Sequence, residues 1–197
     1  MAYVIIGCAA FVVLAFFDLV AMKQIPYLKQ VIGLAGSLIF AHCLLMVIRR
    51  GHTLPIPAWL SYTGWPLLFP SLFLLIYSLF LEIPFHQTYA ADGVGEKLVT
   101  TGTYALVRHP GVLWLGLLLL SLVLISRSQL LLIAAPLWLL MDVLYVWVQD
   151  RFLFGRMFPD YEAYRDETPM LIPTCRSILR CWRSLAERSN REGQSGE

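Results

Sequence analysis

The chain is poor in charge. Only 14% of its residues are Asp, Glu, Lys or Arg, while 58% are hydrophobic; a soluble domain carries about a quarter charged residues. That balance excludes an ordinary water-soluble globule. The net charge of +2 is uninformative as a total, and no nucleic-acid partner is expected. Cysteine is sparse. Cys8, Cys43, Cys175 and Cys181 form no CxxC pair, so neither a zinc site nor a redox motif is indicated, no metal is expected, and the four read as apolar fillers and free thiols. Residues 3–22 have no basic segment ahead of them and no convincing small-residue cleavage site, and they contain Asp18. They read as a first membrane helix, not a cleaved signal peptide. There is no internal repeat. The one glycine loop, Asp92-Gly93-Val94-Gly95, follows no strand and is no dinucleotide fingerprint.

What is present is a set of apolar segments, at about 3–22, 28–48, 65–83, 112–125 and 129–148. With a mean hydropathy of +0.68, this is the pattern of an all-α polytopic membrane protein with about five transmembrane helices, the last two a hairpin about Ser126-Arg127-Ser128, and a cytoplasmic helical tail. The fourth segment is short against the roughly 20 residues that a perpendicular span needs. Basic residues set the expected orientation. Twelve of the fifteen lysines and arginines fall on one side, leaving Arg49, Arg50 and Arg127 on the other, which puts the N-terminus outside and the C-terminus in the cytoplasm. The chain divides into a three-helix region at 1–84, a core at 85–173 and a tail at 174–197. In the tail, Arg176, Arg180 and Arg183 keep helical spacing beside Ile178, Leu179 and Trp182, as in an interfacial helix on anionic lipid. The last eight or so residues are polar and are expected to be disordered.

Two polar islands, 86–111 and 149–165, flank the fourth and fifth segments. A hairpin returns the chain to its starting side, so the islands must meet and can build one cytoplasm-facing pocket rooted in the membrane. The first contains Thr101-Gly102-Thr103-Tyr104-Ala105-Leu106-Val107-Arg108-His109-Pro110. An Arg-His pair costs several kcal/mol to bury without partners. Each residue also has a plainer role. Arg108 can be a snorkelling anchor, His109 a local cap, Pro110 a helix-start residue, Tyr161 and Tyr164 interface aromatics, and Asp150 a partner for Arg151 or Arg108. Asp18, His42 and Asp142 lie inside apolar segments, where ionisable groups attract functional suspicion; Asp18 and His42 can pair with each other. Glu82 and His86 border the third segment as candidates to enter the pocket from the substrate side.

Leu98-Val99-Thr100-Thr101-Gly102-Thr103-Tyr104 followed by Arg108-His109-Pro110-Gly111, then Gln149-Asp150, Leu153, Tyr161-x-x-Tyr164 and Pro169 to Pro173, resembles the paired signatures of the isoprenylcysteine carboxyl methyltransferase and phospholipid N-methyltransferase superfamily. The likeness covers roughly residues 85–173. It implies a membrane methyltransferase that uses S-adenosyl-L-methionine on a lipophilic or small acceptor. By resemblance, Glu96, Lys97, Leu98, Val99, Tyr104, His109, Pro110, Gly111 and Val112 would line the cofactor site, with Gln149 and Asp150 reaching it from the fifth helix. Arg108 and Asp150 would carry the chemistry, an arginine gripping the cofactor's carboxylate and a carboxylate steadying its sulfonium. Four positions depart from the signature. Val112 stands for tyrosine, Trp114 for glycine, Gln149 for the first acid, and Tyr145 for an arginine that holds a carboxylate substrate. Tyr145 is thus the substrate-side position, and its lack of charge argues for a neutral or amine acceptor. Sterol-type reductases using NADPH resemble this layout too, and a non-catalytic protein retaining the scaffold is the third reading.

Overall fold

In a computed structural model the chain is described over residues 1–23, 25, 27–83 and 98–194, the last seven by backbone alone. The expected site residues His86, Glu96 and Lys97 lie outside the described residues. Among the described residues ten α-helices follow one another: α1 (Ala2–Met22), α2 (Leu28–Arg50), α3 (Ala58–Tyr62), α4 (Gly64–Ile76), α5 (Thr103–Leu106), α6 (Pro110–Ser126), α7 (Gln129–Val148), α8 (Phe154–Met157), α9 (Tyr161–Glu167) and α10 (Cys175–Gln194). Wide π-helical turns, Tyr77–Leu81 and Gln149–Leu153, extend α4 and join α7 to α8. The described residues contain no strand, and one isolated bridge pairs Thr53 with Ser128. Among the described residues four helical stretches are long and apolar enough to cross a membrane: Ala2–Met22, Leu28–Arg50, Ala58–Leu81 and Gln129–Met157.

The fourth apolar segment forms α6, whose 17 residues rise about 26 Å, a little less than a hydrocarbon core of about 30 Å. It is longer than the apolar run because Pro110 and Gly111 begin the helix, Pro110 at a position where the missing N–H costs nothing. The hairpin turn falls where the sequence puts it. Arg127 takes a left-handed conformation, φ 54°, and Ser128 caps α7 by accepting from the Leu131 amide at 3.2 Å. The Ser128 hydroxyl also donates to the Val47 carbonyl at 2.8 Å, and the Leu54 amide donates to the Arg127 carbonyl. The α2–α3 connection is thereby pinned to the hairpin tip. Pro70 lies inside α4; next to it the Ser71 hydroxyl donates back to the Leu67 carbonyl at 2.7 Å, so a polar group that lipid could not satisfy is satisfied within the helix.

The core lies where α1, α2, α6 and α7 meet. Trp138 is fully buried there among Val4, Phe11, Cys43, Val47, Leu119 and Ala134, and its indole N–H donates to the Val4 carbonyl at 3.0 Å. Gly7 makes that approach possible, since a Cβ on it would sit 2.4 Å from the indole nitrogen. Between helices in lipid the hydrophobic drive is weak, and close packing over small residues takes its place.

The tail differs from expectation. The helix of the basic spacing exists, but it runs on through Gln194, so the polar residues 190–194 are helical.

A Gly7→Val variant should lose about 1–3 kcal/mol of stability by overpacking against Trp138. Thermal unfolding in detergent micelles tests this, and an unchanged midpoint would show that α1 and α7 can separate there without cost.

Candidate functional site

The two polar islands meet at one end of the α6–α7 hairpin. Arg108 and His109 lie in the extended link between α5 and α6, held there by backbone bonds from the Arg108 amide to the Pro169 carbonyl at 2.9 Å and from the His109 amide to the Met170 carbonyl at 3.3 Å. Asp150 comes from the other island, on the π turn after α7. The Arg108 guanidinium grips both carboxylate oxygens, Nε to Oδ1 at 2.7 Å and the second nitrogen to Oδ2 at 3.0 Å. Its remaining terminal nitrogen donates to the carbonyls of Arg165, 2.8 Å, and Thr168, 2.5 Å. Both side chains are about nine-tenths buried. The planar fork of arginine is what allows four acceptors to be met at once.

Three further groups close the cluster. The Tyr161 hydroxyl donates to Asp150 Oδ1. Burial first, and the Asp150 carboxylate next, hold that phenol well above its ordinary value, so it stays a donor. The Tyr164 hydroxyl donates to the Tyr104 carbonyl at 2.7 Å, and the Tyr104 hydroxyl to the Ser78 carbonyl at 3.2 Å, a relay from α9 through α5 to the third apolar segment. The Tyr-x-x-Tyr pair is therefore buried structure rather than an interface belt. His109 stacks on Phe154, centroids 5.8 Å apart. Its Nε2 is buried, stands 3.5 Å from Asp150 Oδ1 and makes no hydrogen bond. Burial pushes the imidazole below its ordinary value, outweighing the pull of Asp150, so it is neutral near pH 7.

Gln149 and Tyr145 belong to a different cluster. Consecutive side chains on a helix point about 100° apart, and Gln149 meets a different partner from Asp150. Its amide donates to Asp18 of α1 at 2.7 Å, and the Tyr145 hydroxyl donates to the same oxygen at 2.9 Å. The expected Asp18–His42 pairing is thus replaced. Asp18 sits between α1 and α7, whereas His42 lies near Tyr3, ring centroids 6.0 Å apart. Sequence reasoning missed this cluster, although an acid inside an apolar helix was its signal. Glu82, expected on the substrate side, accepts from the Thr103 amide at 2.9 Å and from the Thr103 hydroxyl. Gly102, φ 59°, must be glycine here, because a Cβ would lie 1.5 Å from the Glu82 carboxylate.

A cavity of about 550 Å³ opens beside the cluster, lined by Leu98, Ala105, Tyr164, Thr168, Arg180 and Ser184 among others. Of the expected cofactor residues that are described, only Leu98 faces it. Thr168 stands between this cavity and the ion pair, giving its carbonyl to Arg108. Pro110 and Val112 are buried at the start of α6, and Gly111 rests against Leu79. Val99 lies in the unhelical stretch before α5. Among the described residues no group of three or more His, Cys, Asp or Glu could hold a metal.

Removing either partner of the buried pair leaves the other uncompensated, so Arg108→Ala or Asp150→Ala should each lose about 3–5 kcal/mol. The double variant should lose less than the sum, and equal additivity in unfolding measurements would show that the pair is not coupled. His109 adds a pH dependence. Below its ordinary pKa of 6.5 the unfolded chain binds a proton that the folded protein refuses, so stability falls as pH drops through that value. His109→Gln should flatten that part of the profile. No family model, curated protein or solved structure matches the chain.

Proposed function

We propose that the chain is a membrane-embedded methyltransferase that takes S-adenosyl-L-methionine from the cytoplasm and a lipophilic or small acceptor from the bilayer. The observation that carries this reading is the joining of the two signature segments through Arg108 and Asp150, with the buried His109 Nε2 3.5 Å from the same carboxylate. The adjacent cavity of about 550 Å³ has the size of small-molecule sites, about 300–1,000 Å³. On this reading five spans cross the membrane, α6 being the short one, and the excess of basic residues faces the cytoplasm.

By resemblance Leu98, Val99, Tyr104 and the segment His109 to Val112 would hold the cofactor, Leu98 from the cavity wall, with Asp150 as the nearby anion. When bound, it supplies an electrophilic methyl group on a sulfonium. The chain's own work is positional. Arg108 keeps the Asp150 carboxylate charged and oriented, Tyr161 fixes the same carboxylate from α9, and neutral His109 offers a hydrogen-bonding nitrogen without adding positive charge against a sulfonium. Methyl transfer is an in-line displacement, so holding acceptor and methyl collinear supplies most of the rate. Tyr145, bound to Asp18, leaves no cation on the substrate side at that position, which favours an amine or neutral acceptor.

One observation favours a second reading, a non-catalytic protein that retains the scaffold. Arg108 already satisfies itself on Asp150 and two carbonyls, and an ion pair so complete needs no ligand.

Calorimetric titration of the purified protein with S-adenosylmethionine, S-adenosylhomocysteine and NADPH separates the readings. Binding of the first two is expected. His109→Ala should weaken S-adenosylhomocysteine by at least about tenfold, roughly 1.4 kcal/mol, and Ala163→Trp, at the cavity wall, should weaken it as well. NADPH binding alone would indicate a sterol-type reductase, and no binding at all the scaffold reading.

A further inference from the structure

Helix α10 has three distinct sides. Ser177, Cys181 and Ser184 face the protein; Ser177 is fully buried, and the Ser184 hydroxyl accepts from the Gly102 amide at 2.8 Å. At about 100° per residue, Ile178, Trp182 and Leu185 fall on one flank, with Leu179 beside them. They are exposed by 50%, 76%, 38% and 58% respectively. Arg176 and Arg183, both exposed, fall on the opposite flank with Arg180. Ile172, just ahead of the helix, is 81% exposed. A cluster of large apolar side chains left in water on a folded surface marks an interaction site.

The position of the helix says what covers that flank. α10 is tied to Gly102, eight residues before the first residue of α6, so it sits at the membrane end of an apolar helix. A surface there meets lipid headgroups. The charge agrees, because the sequence of α10 holds five arginines against two acids, Glu187 and Glu192, and Arg180 is bound to Glu167 at 3.1 Å. An apolar flank with arginines on the other side is the arrangement of a helix lying in the plane of an interface, its side chains entering the acyl boundary and its cations at headgroup depth.

We propose that α10 docks on an anionic lipid surface, that of the bilayer which holds the rest of the chain, with Trp182 inserted and Arg176 and Arg183 reading the headgroup charge. The proposal does not depend on the enzymatic reading. It has a structural consequence for the site all the same. Arg180 and Ser184 also line the 550 Å³ cavity, so the lipid surface holds one wall of that cavity in place.

The test uses the full chain in nanodiscs of acyl-brominated phosphatidylcholine, alone or mixed with phosphatidylglycerol at about three to one. The Trp182 fluorescence is isolated as the difference between the protein and Trp182→Phe, a substitution at an exposed position. Bromine is expected to quench at least about half of that component in the anionic discs. The pair Arg176→Glu and Arg183→Glu should lower the quenching about twofold or more, as should high salt. Circular dichroism of the charge-reversed protein shows that the helices remain. An unquenched Trp182 open to aqueous acrylamide would overturn the proposal. So would a Trp182 shielded in proportion to the number of chains per disc, which would assign the flank to a second copy. Quenching equal in the two lipid mixtures and indifferent to charge reversal would overturn the anionic preference.

Discussion

The Arg108–Asp150 pair is the constraint around which the part of this protein at the open end of the α6–α7 hairpin is arranged. Two charges about nine-tenths buried are tolerable only if every strong donor and acceptor is met. Asp150 supplies two of the acceptors that Arg108 needs. The others are backbone carbonyls, Arg165 and Thr168, which arrive only because the chain leaves α7, turns through α8 and α9 and comes back. The same return brings Pro169 and Met170 to the backbone of Arg108 and His109. The ion pair, the π turn, the aromatic pair of α9 and the extended link before α6 are therefore one construction. Its specificity comes from arginine's geometry; a lysine could not span four acceptors.

The second polar construction is the Asp18 cluster. Two positions that depart from the methyltransferase signature, Tyr145 and Gln149, converge on this one carboxylate. The two positions thus act together, α7 giving the donors and α1 the acceptor. An intramembrane acid needs such donors, and in meeting them α1 is fastened to the helix that carries Asp150. The Gly7–Trp138 contact, farther along the same two helices, does by close packing what the Asp18 bonds do by polarity.

Much of this was legible in the residues. Apolar runs located the membrane helices, because lipid demands length and hydropathy and asks little else. The Ser126-Arg127-Ser128 turn marked the hairpin, and the hairpin alone required the islands 86–111 and 149–165 to meet. The basic spacing of Arg176, Arg180 and Arg183 announced α10. Its extension to Gln194 was not legible, because polar composition alone does not tell a solvated helix from a disordered tail.

What the sequence by itself determined was membrane residence, the order of the helices and the pairing of two polar islands, since each follows from local composition and chain connectivity. Which residues within the islands touch was decided only in three dimensions. Neighbours in sequence, Gln149 and Asp150, part to separate clusters because α1 offers a partner to one and the Arg108 link a partner to the other, and no periodicity in the residues says which element packs where. Asp18 and Tyr145 are 127 positions apart; their contact depends on how α1 is set against α7, and that is fixed by side-chain volumes such as the absent Cβ of Gly7.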